Sequence, residues 1–117
     1  LHATVATSIA EAADGAMLIL QATSMGMGLR TGEDEWRRHR DTALEVLARV
    51  PDEAVLMDLV YGTDETPWVA AGRQRGIDAV DGLGMLVNQG VIGFQIWTGI
   101  EPDRAIMREA LEEYLEI

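Results

Sequence analysis

With 117 residues, 48% of them apolar, the chain is one domain at most and has enough apolar material for a core. A formal charge of −11 disfavours nucleic acid and anionic membrane surfaces, which recruit basic patches; all nine basic residues are arginine and lysine is absent. The lack of cysteine excludes disulfides and thiolate metal sites, and no apolar run approaches the ~18 residues of a bilayer span.

The start, Leu1-His2-Ala3-Thr4, has neither an initiator methionine nor a charged and apolar leader, so it reads as the front of a piece of a longer, cytoplasmic protein. Thr7 and Ser8 predict caps for a short helix through Ala13. The apolar run Ala16–Leu20 predicts a buried parallel strand, followed by a loop of small and polar residues, Gln21–Gly28. Thr31 and Asp34 resemble a capping box for a helix over 33–49, with Trp36, Ala43, Leu44, Leu47 and Val50 on its apolar side and Pro51 as its stop. A second buried strand is expected over 54–61. Thr66 caps a helix with Pro67 in its first position and Gly76 at its close, and Ile77–Val80 makes a third strand. A glycine turn at Asp81–Gly84 opens a helix through Trp97 with so little polar surface that burial on most sides is expected. Pro102 opens a last amphipathic helix to about residue 116, with Ile106, Ala110, Leu111, Tyr114 and Leu115 on its apolar side.

Strands alternating with helices predict an α/β fold: a Rossmann-like parallel sheet with flanking helices and right-handed crossovers. In such sheets ligands bind outside the carboxyl ends of the strands. That rule selects the loop 21–28, the segment 59–61 and the turn 81–84. Gly82, Met85 and Gln89 share a helix face by spacing, which aims the Gln89 amide over the strand ends; the same spacing fits a core glutamine bonded to a backbone carbonyl. Tyr61 at a strand tip is equally an edge-packing residue or a ligand contact. The Thr23-Ser24-x-Gly26 loop offers hydroxyls and free N–H groups, or is a plain turn. Neither glycine cluster has the dinucleotide spacing G-x-G-x-x-G. The cluster Arg37-Arg38-His39-Arg40, set among acidic neighbours, reads as a solvated face. His2 and His39 lack partners at ligand spacing, so no metal site is predicted, and no nucleophile–base pair is evident.

Three segments together resemble the shikimate dehydrogenase family: Gln21-Ala22-Thr23-Ser24-Met25-Gly26-Met27, Asp58-Leu59-Val60-Tyr61 with Glu65-Thr66-Pro67, and Asp81-Gly82-Leu83-Gly84-Met85-Leu86-Val87 with Gln89. The Trp97-Thr98-Gly99 exit and the amphipathic helix after it are similar as well. The resemblance covers nearly the whole chain, residues 1–117, as the C-terminal portion of a Rossmann-type NADP-binding domain. It implies an enzyme that interconverts 3-dehydroshikimate and shikimate with NADP, in aromatic amino-acid (chorismate) biosynthesis. Tyr61 and Gln89 align with positions that bind the hydroxylated ring acid. Thr23, Leu59 (through its backbone), Gly82 and Met85 align with the cofactor region. Quinate or aminoshikimate dehydrogenase using NAD, or a non-catalytic ligand-binding module, are the alternatives.

Two departures stand out: Gln21 replaces the usual Asn, and the stretch between Met27 and Ala54 is longer than usual, which suggests surface decoration. The family's catalytic Lys and Asp belong to a substrate domain that this sequence does not contain, and with no lysine the pair cannot be assembled here. No catalytic residue is therefore assigned, and the chain alone is expected to be inactive. The run 16–20 should present an open strand edge, which predicts a homodimer or edge-strand pairing.

Overall fold

The computed structural model describes residues 2–117. Its elements are α1 (Ile9–Ala13), β1 (Leu18–Gln21), α2 (Asp34–Leu47), β2 (Val55–Asp58), α3 (Pro67–Arg75), β3 (Asp78–Val80), α4 (Leu83–Thr98) and α5 (Arg104–Leu115). The strands form one parallel sheet in the order β1-β2-β3. The predicted α/β class and helix–strand alternation are present, with strands shorter than expected: β1 runs over 18–21 rather than 16–20, and β2 over 55–58 rather than 54–61.

Helix starts follow local chemistry. Ser8 caps α1 through a hydrogen bond from the Glu11 N–H, and Thr66 caps α3 through one from Val69. Pro67 occupies the first turn of α3, where its missing N–H costs nothing, and Gly76 closes that helix in the left-handed region at φ 84°. The expected capping box on α2 does not form. Glu33 is its N-cap without a side-chain bond, and the Thr31 N–H is drawn away to the Asp64 carboxylate at 2.8 Å. α5 begins after Asp103, whose carboxylate accepts from the Ala105 and Ile106 N–H groups.

Register decides which side of the sheet is covered. Ile19, Leu56 and Ala79 lie abreast, and Gln21 pairs with Asp58. These alternate residues face α2 and α3, where Ala43, Val46, Leu47, Leu56, Trp68, Ala71 and Ile77 form the core with Ile19 and Ala79 packed against it. Fully burying a residue such as Leu47 or Leu56 contributes roughly 1.5–3 kcal/mol. The opposite face carries Leu18, Leu20, Val55 and Val80, all exposed. The expectation of strands buried on both sides is thus corrected: the apolar runs form strands, but helices cover one face.

The segment expected to decorate the surface is also reassigned. α2 is the crossover between β1 and β2, packs along α3, and supplies Trp36, Ala43, Val46 and Leu47 to the interior. The Trp36 indole N–H donates to the Glu65 carbonyl at 2.9 Å, which ties α2 to the approach to α3. The basic cluster is a solvated face as predicted: Arg37 pairs with Asp34 at 2.9 Å, Arg40 pairs with Asp41 at 2.7 Å, and the Arg40 guanidinium lies 5.7 Å from the Trp36 ring centroid.

α4 departs most from expectation. It is buried only at Val87 and Val91, on the side toward α5, where Met107 faces Gly90 and Arg108 faces Gly84. At about 100° per residue, Met85, Gln89, Ile92 and Ile96 fall on the opposite side, and all four are exposed. α5 likewise turns Met107, Leu111 and Leu115 inward, while Ile106, Ala110 and Tyr114, expected on its apolar side, are exposed. No described helix is long and apolar enough to cross a membrane.

Candidate functional site at the strand ends

The carboxyl ends of the three strands bring together four of the six predicted site residues. β1 ends in Gln21, whose side chain folds over the loop it opens. Its Oε1 accepts from the Thr23 N–H and, at 2.7 Å, from the Thr23 hydroxyl; its Nε2 donates to the Met25 carbonyl at 3.2 Å. The Thr23 hydroxyl oxygen in turn accepts from the Met25 N–H at 3.2 Å. The loop is therefore a hydrogen-bonded turn, and Thr23 is held at its exposed tip.

β2 ends in Asp58, which is fully buried. Its Oδ1 accepts from the Val60 N–H at 3.0 Å and from Gln21 Nε2 at 3.3 Å; its Oδ2 accepts from the Thr66 hydroxyl at 2.7 Å. Burial pushes the Asp58 carboxyl above its ordinary value. The Thr66 hydroxyl and the Val60 N–H oppose that rise, and the negative charge of Asp81 adds to it. Leu59 follows, its N–H bonded to the Gln21 carbonyl at 2.9 Å. The Leu59 carbonyl receives no hydrogen bond from the described residues, which leaves an unused acceptor at the sheet end. Tyr61 is half-buried and lines a cavity of about 120 Å³ between the loop 26–30 and the segment 60–66, together with Gly26, Arg30, Gly62 and Asp64.

β3 leads through Asp81 into Gly82. The Asp81 carboxylate accepts from the Leu83 N–H at 3.1 Å and so shapes the turn that starts α4. The Gly82 N–H donates to the Val60 carbonyl at 3.1 Å. A Cβ at Gly82 would lie 2.7 Å from the Leu59 carbonyl carbon, closer than any side chain tolerates, so only glycine lets α4 start against the end of β2. Thr23, Leu59, Tyr61 and Gly82 thus cluster at one end of the sheet. Met85 and Gln89 lie one and two turns further along α4, on the side turned away from α5.

The geometry corrects one expectation and adds one residue. Gln89 is exposed rather than a buried amide, so the core-glutamine reading falls. Asp58 was quoted within a motif but given no role. The signal that would have found it is simple: a charged residue inside an apolar strand must be paired or bonded where it is buried.

Comparison with known proteins places this geometry. Residues 82–112 match the model of the shikimate 5'-dehydrogenase C-terminal domain. The chain is 44% identical over 101 residues to the NADP(+) shikimate dehydrogenase of Mesorhizobium japonicum, an alignment covering 86% of this chain and 32% of that enzyme. The chain therefore spans about a third of the length of the curated relatives it matches. Among solved structures, shikimate 5-dehydrogenase from Thermus thermophilus in complex with NADP(H) and shikimate superposes with a TM-score of 0.67 at 28% identity, covering 92% of this chain and 37% of that one. Quinate dehydrogenase from Corynebacterium glutamicum in complex with NAD gives 0.63 at 30% identity, covering 84% and 31%. The model match over 82–112, the 44% identity over most of this chain and the superposition on a solved shikimate dehydrogenase lead to one assignment: the chain belongs to the shikimate dehydrogenase family, of which it carries a C-terminal part.

Proposed function

We propose that this chain forms the nicotinamide-side wall of an NADP-dependent shikimate dehydrogenase, which reversibly reduces 3-dehydroshikimate to shikimate. The observation that carries the reading is the pairing of an unused Leu59 carbonyl with a glycine, Gly82, packed against it. A carboxamide needs an acceptor for its N–H₂, and this arrangement supplies one at the sheet end: the space that a side chain at 82 would fill is taken by the Leu59 backbone, so glycine lets α4 start beside that carbonyl. The residues present therefore fit the nicotinamide end of a dinucleotide. When bound, that group supplies the hydride that reduces the ketone carbon.

The chain's own residues bind and orient. The Leu59 carbonyl would accept from the carboxamide with Thr23 and Met85 beside it, and Gly82 lets α4 start close against that carbonyl. Tyr61 and Gln89 offer a hydroxyl and an amide to the hydroxylated ring acid. Sites that hydrogen-bond substrate hydroxyls discriminate strongly against analogues lacking them. The resemblance implies that the proton ending on the ketone oxygen comes from a lysine paired with an aspartate, and this chain has no lysine to supply it. Activity thus needs the sequence or polypeptide that carries the catalytic Lys and Asp.

The test is kinetic. The gene product that contains this chain should oxidise shikimate with NADP, whereas the purified 117-residue chain should show no turnover. Turnover by the chain alone would refute its role as a wall. The structural likeness to the NAD-bound quinate enzyme makes quinate with NAD the second reading. Assaying each acid with each dinucleotide separates the two.

A further inference from the structure

Among the described residues three polar or charged side chains are buried: Gln21, Asp58 and Thr66. All three belong to one connected network. Gln21 and Asp58 are register partners at the last paired position of β1 and β2, and their side chains bond across the strands at 3.3 Å. Asp58 bonds onward to Thr66, whose hydroxyl oxygen caps α3 by accepting from the Val69 N–H at 3.2 Å. No cation is bonded to this carboxylate in the structure; a neutral amide, a hydroxyl and a peptide N–H satisfy it instead.

Desolvating a carboxylate is expensive, and the three hydrogen bonds it accepts offset that cost. What the charge does is fix backbone. One oxygen of Asp58 holds the Val60 N–H, which sets the plane of the Leu59–Val60 peptide and hence the direction of the Leu59 carbonyl. That same oxygen holds Gln21 Nε2, while Gln21 Oε1 holds the Thr23 N–H and hydroxyl. Thr23 and the Leu59 carbonyl come from different strands, yet both are positioned through a single carboxylate oxygen.

We propose that Gln21 and Asp58 form a positioning clamp that locks the Thr23–Met25 loop and the Leu59–Val60 peptide into one unit facing the nicotinamide. This rests on the functional reading above and adds to it two positioning residues that touch neither substrate nor cofactor. The clamp acts on cofactor affinity. Of the two ring-acid residues, Tyr61 follows the clamped peptide directly while Gln89 lies outside it on α4, so ring-acid binding is affected less than cofactor binding but not spared.

The experiment uses the gene product that contains this chain, assayed with shikimate and NADP. Asp58→Asn keeps the shape but replaces one acceptor oxygen with a donor; Gln21→Leu keeps the bulk and removes every bond. Each is expected to raise KM for NADP about tenfold and KM for shikimate by a smaller factor. A residue that only stabilises the fold would lower the active fraction, so apparent kcat would fall while KM for NADP stayed put. A rise in KM for NADP of less than threefold in the folded variants overturns the clamp. If Asp58→Asn does not fold, Gln21→Leu decides. If the parent itself turns over neither acid with either dinucleotide, the functional reading fails and the clamp falls with it; parental turnover with an unmoved KM overturns the clamp alone.

Discussion

Gln89 shows how little one residue's sequence context says about its burial. Its neighbours one turn away, Met85, Leu86, Ile92 and Gly93, carry no polar side chain, which points to the interior, yet it stands exposed on α4. That exposure sharpens its test. Gln89→Ala should leave the unfolding midpoint within the scatter of surface substitutions and raise KM for the ring acid by a factor equivalent to about 1–3 kcal/mol, typical of a lost hydrogen bond. Loss of stability with an unchanged KM would instead return Gln89 to a packing role. Asp58 carries a pH signature of the opposite kind. Its carboxyl is raised above its ordinary value in the fold, chiefly by burial. The folded chain therefore binds that proton more tightly than the unfolded chain does. The contribution of this group to stability is fully present below the unfolded carboxyl value of about 3.9 and is lost as pH rises through the raised, folded value. Relative to Asp58→Asn, the parent should lose urea resistance with rising pH across that window; parallel pH profiles would show that Asp58 titrates normally. Gly82→Ala should be severe, because the new methyl collides with backbone rather than with a side chain that can turn aside. Overpacking of this kind costs about 1–3 kcal/mol or more, measurable by denaturant unfolding.

At the level of elements, existence was legible in the sequence and burial was not. The Thr66-Pro67 start and Gly76 end of α3 are encoded within a few residues and appear as read. The short apolar runs also became strands in the expected order, because run length and turn residues are local signals. Which face of a strand or helix is covered depends on partners distant in sequence, and there the reading failed for the outer sheet face and for α4. For α2 the apolar side was legible, since Trp36, Ala43, Leu47 and Val50 are buried, and what failed was its assignment to the surface, because arginines and acids crowd its first half. Leu47→Ala tests that reassignment. A core helix predicts a loss of about 2–5 kcal/mol on denaturant unfolding, against within ±0.5 kcal/mol for a surface decoration. The strand-end site was legible to a similar degree. The rule about carboxyl ends of strands picked three segments that the fold brings together at one end of the sheet, whereas the Gln21–Asp58 bond spans 37 positions and leaves no local pattern. The sheet also has an open edge on each side, at β1 and at β3. Together with the exposed Leu18 and Leu20 of β1 and Val55 of β2, this predicts that the isolated chain self-associates. Leu20→Lys should lower the apparent mass in light scattering; a parent that is already monomeric at high concentration would refute the prediction.

The whole molecule is less compact than its length requires. Its radius of gyration is 16.1 Å, against about 13 Å expected for a compact domain of this size. The excess matches a two-part build. One part is the sheet with α1, α2 and α3, which holds the core; the other is the α4–α5 pair, seated on the sheet end through Gly82 and otherwise packed on itself. The proposed contacts Thr23, Leu59, Tyr61 and Gly82 lie at the sheet end, while Met85 and Gln89 ride on the outlying pair. This division has an evolutionary consequence. A recombination joint near residue 82 would transplant the helical arm between relatives as a cassette, carrying Met85 and Gln89 with it while Thr23, Leu59 and Tyr61 stayed with the recipient. Each proposed ligand would then keep contacts on both sides of the joint, so a swapped arm would have to match its host in acid and dinucleotide together, and such exchanges should survive only between relatives that share both.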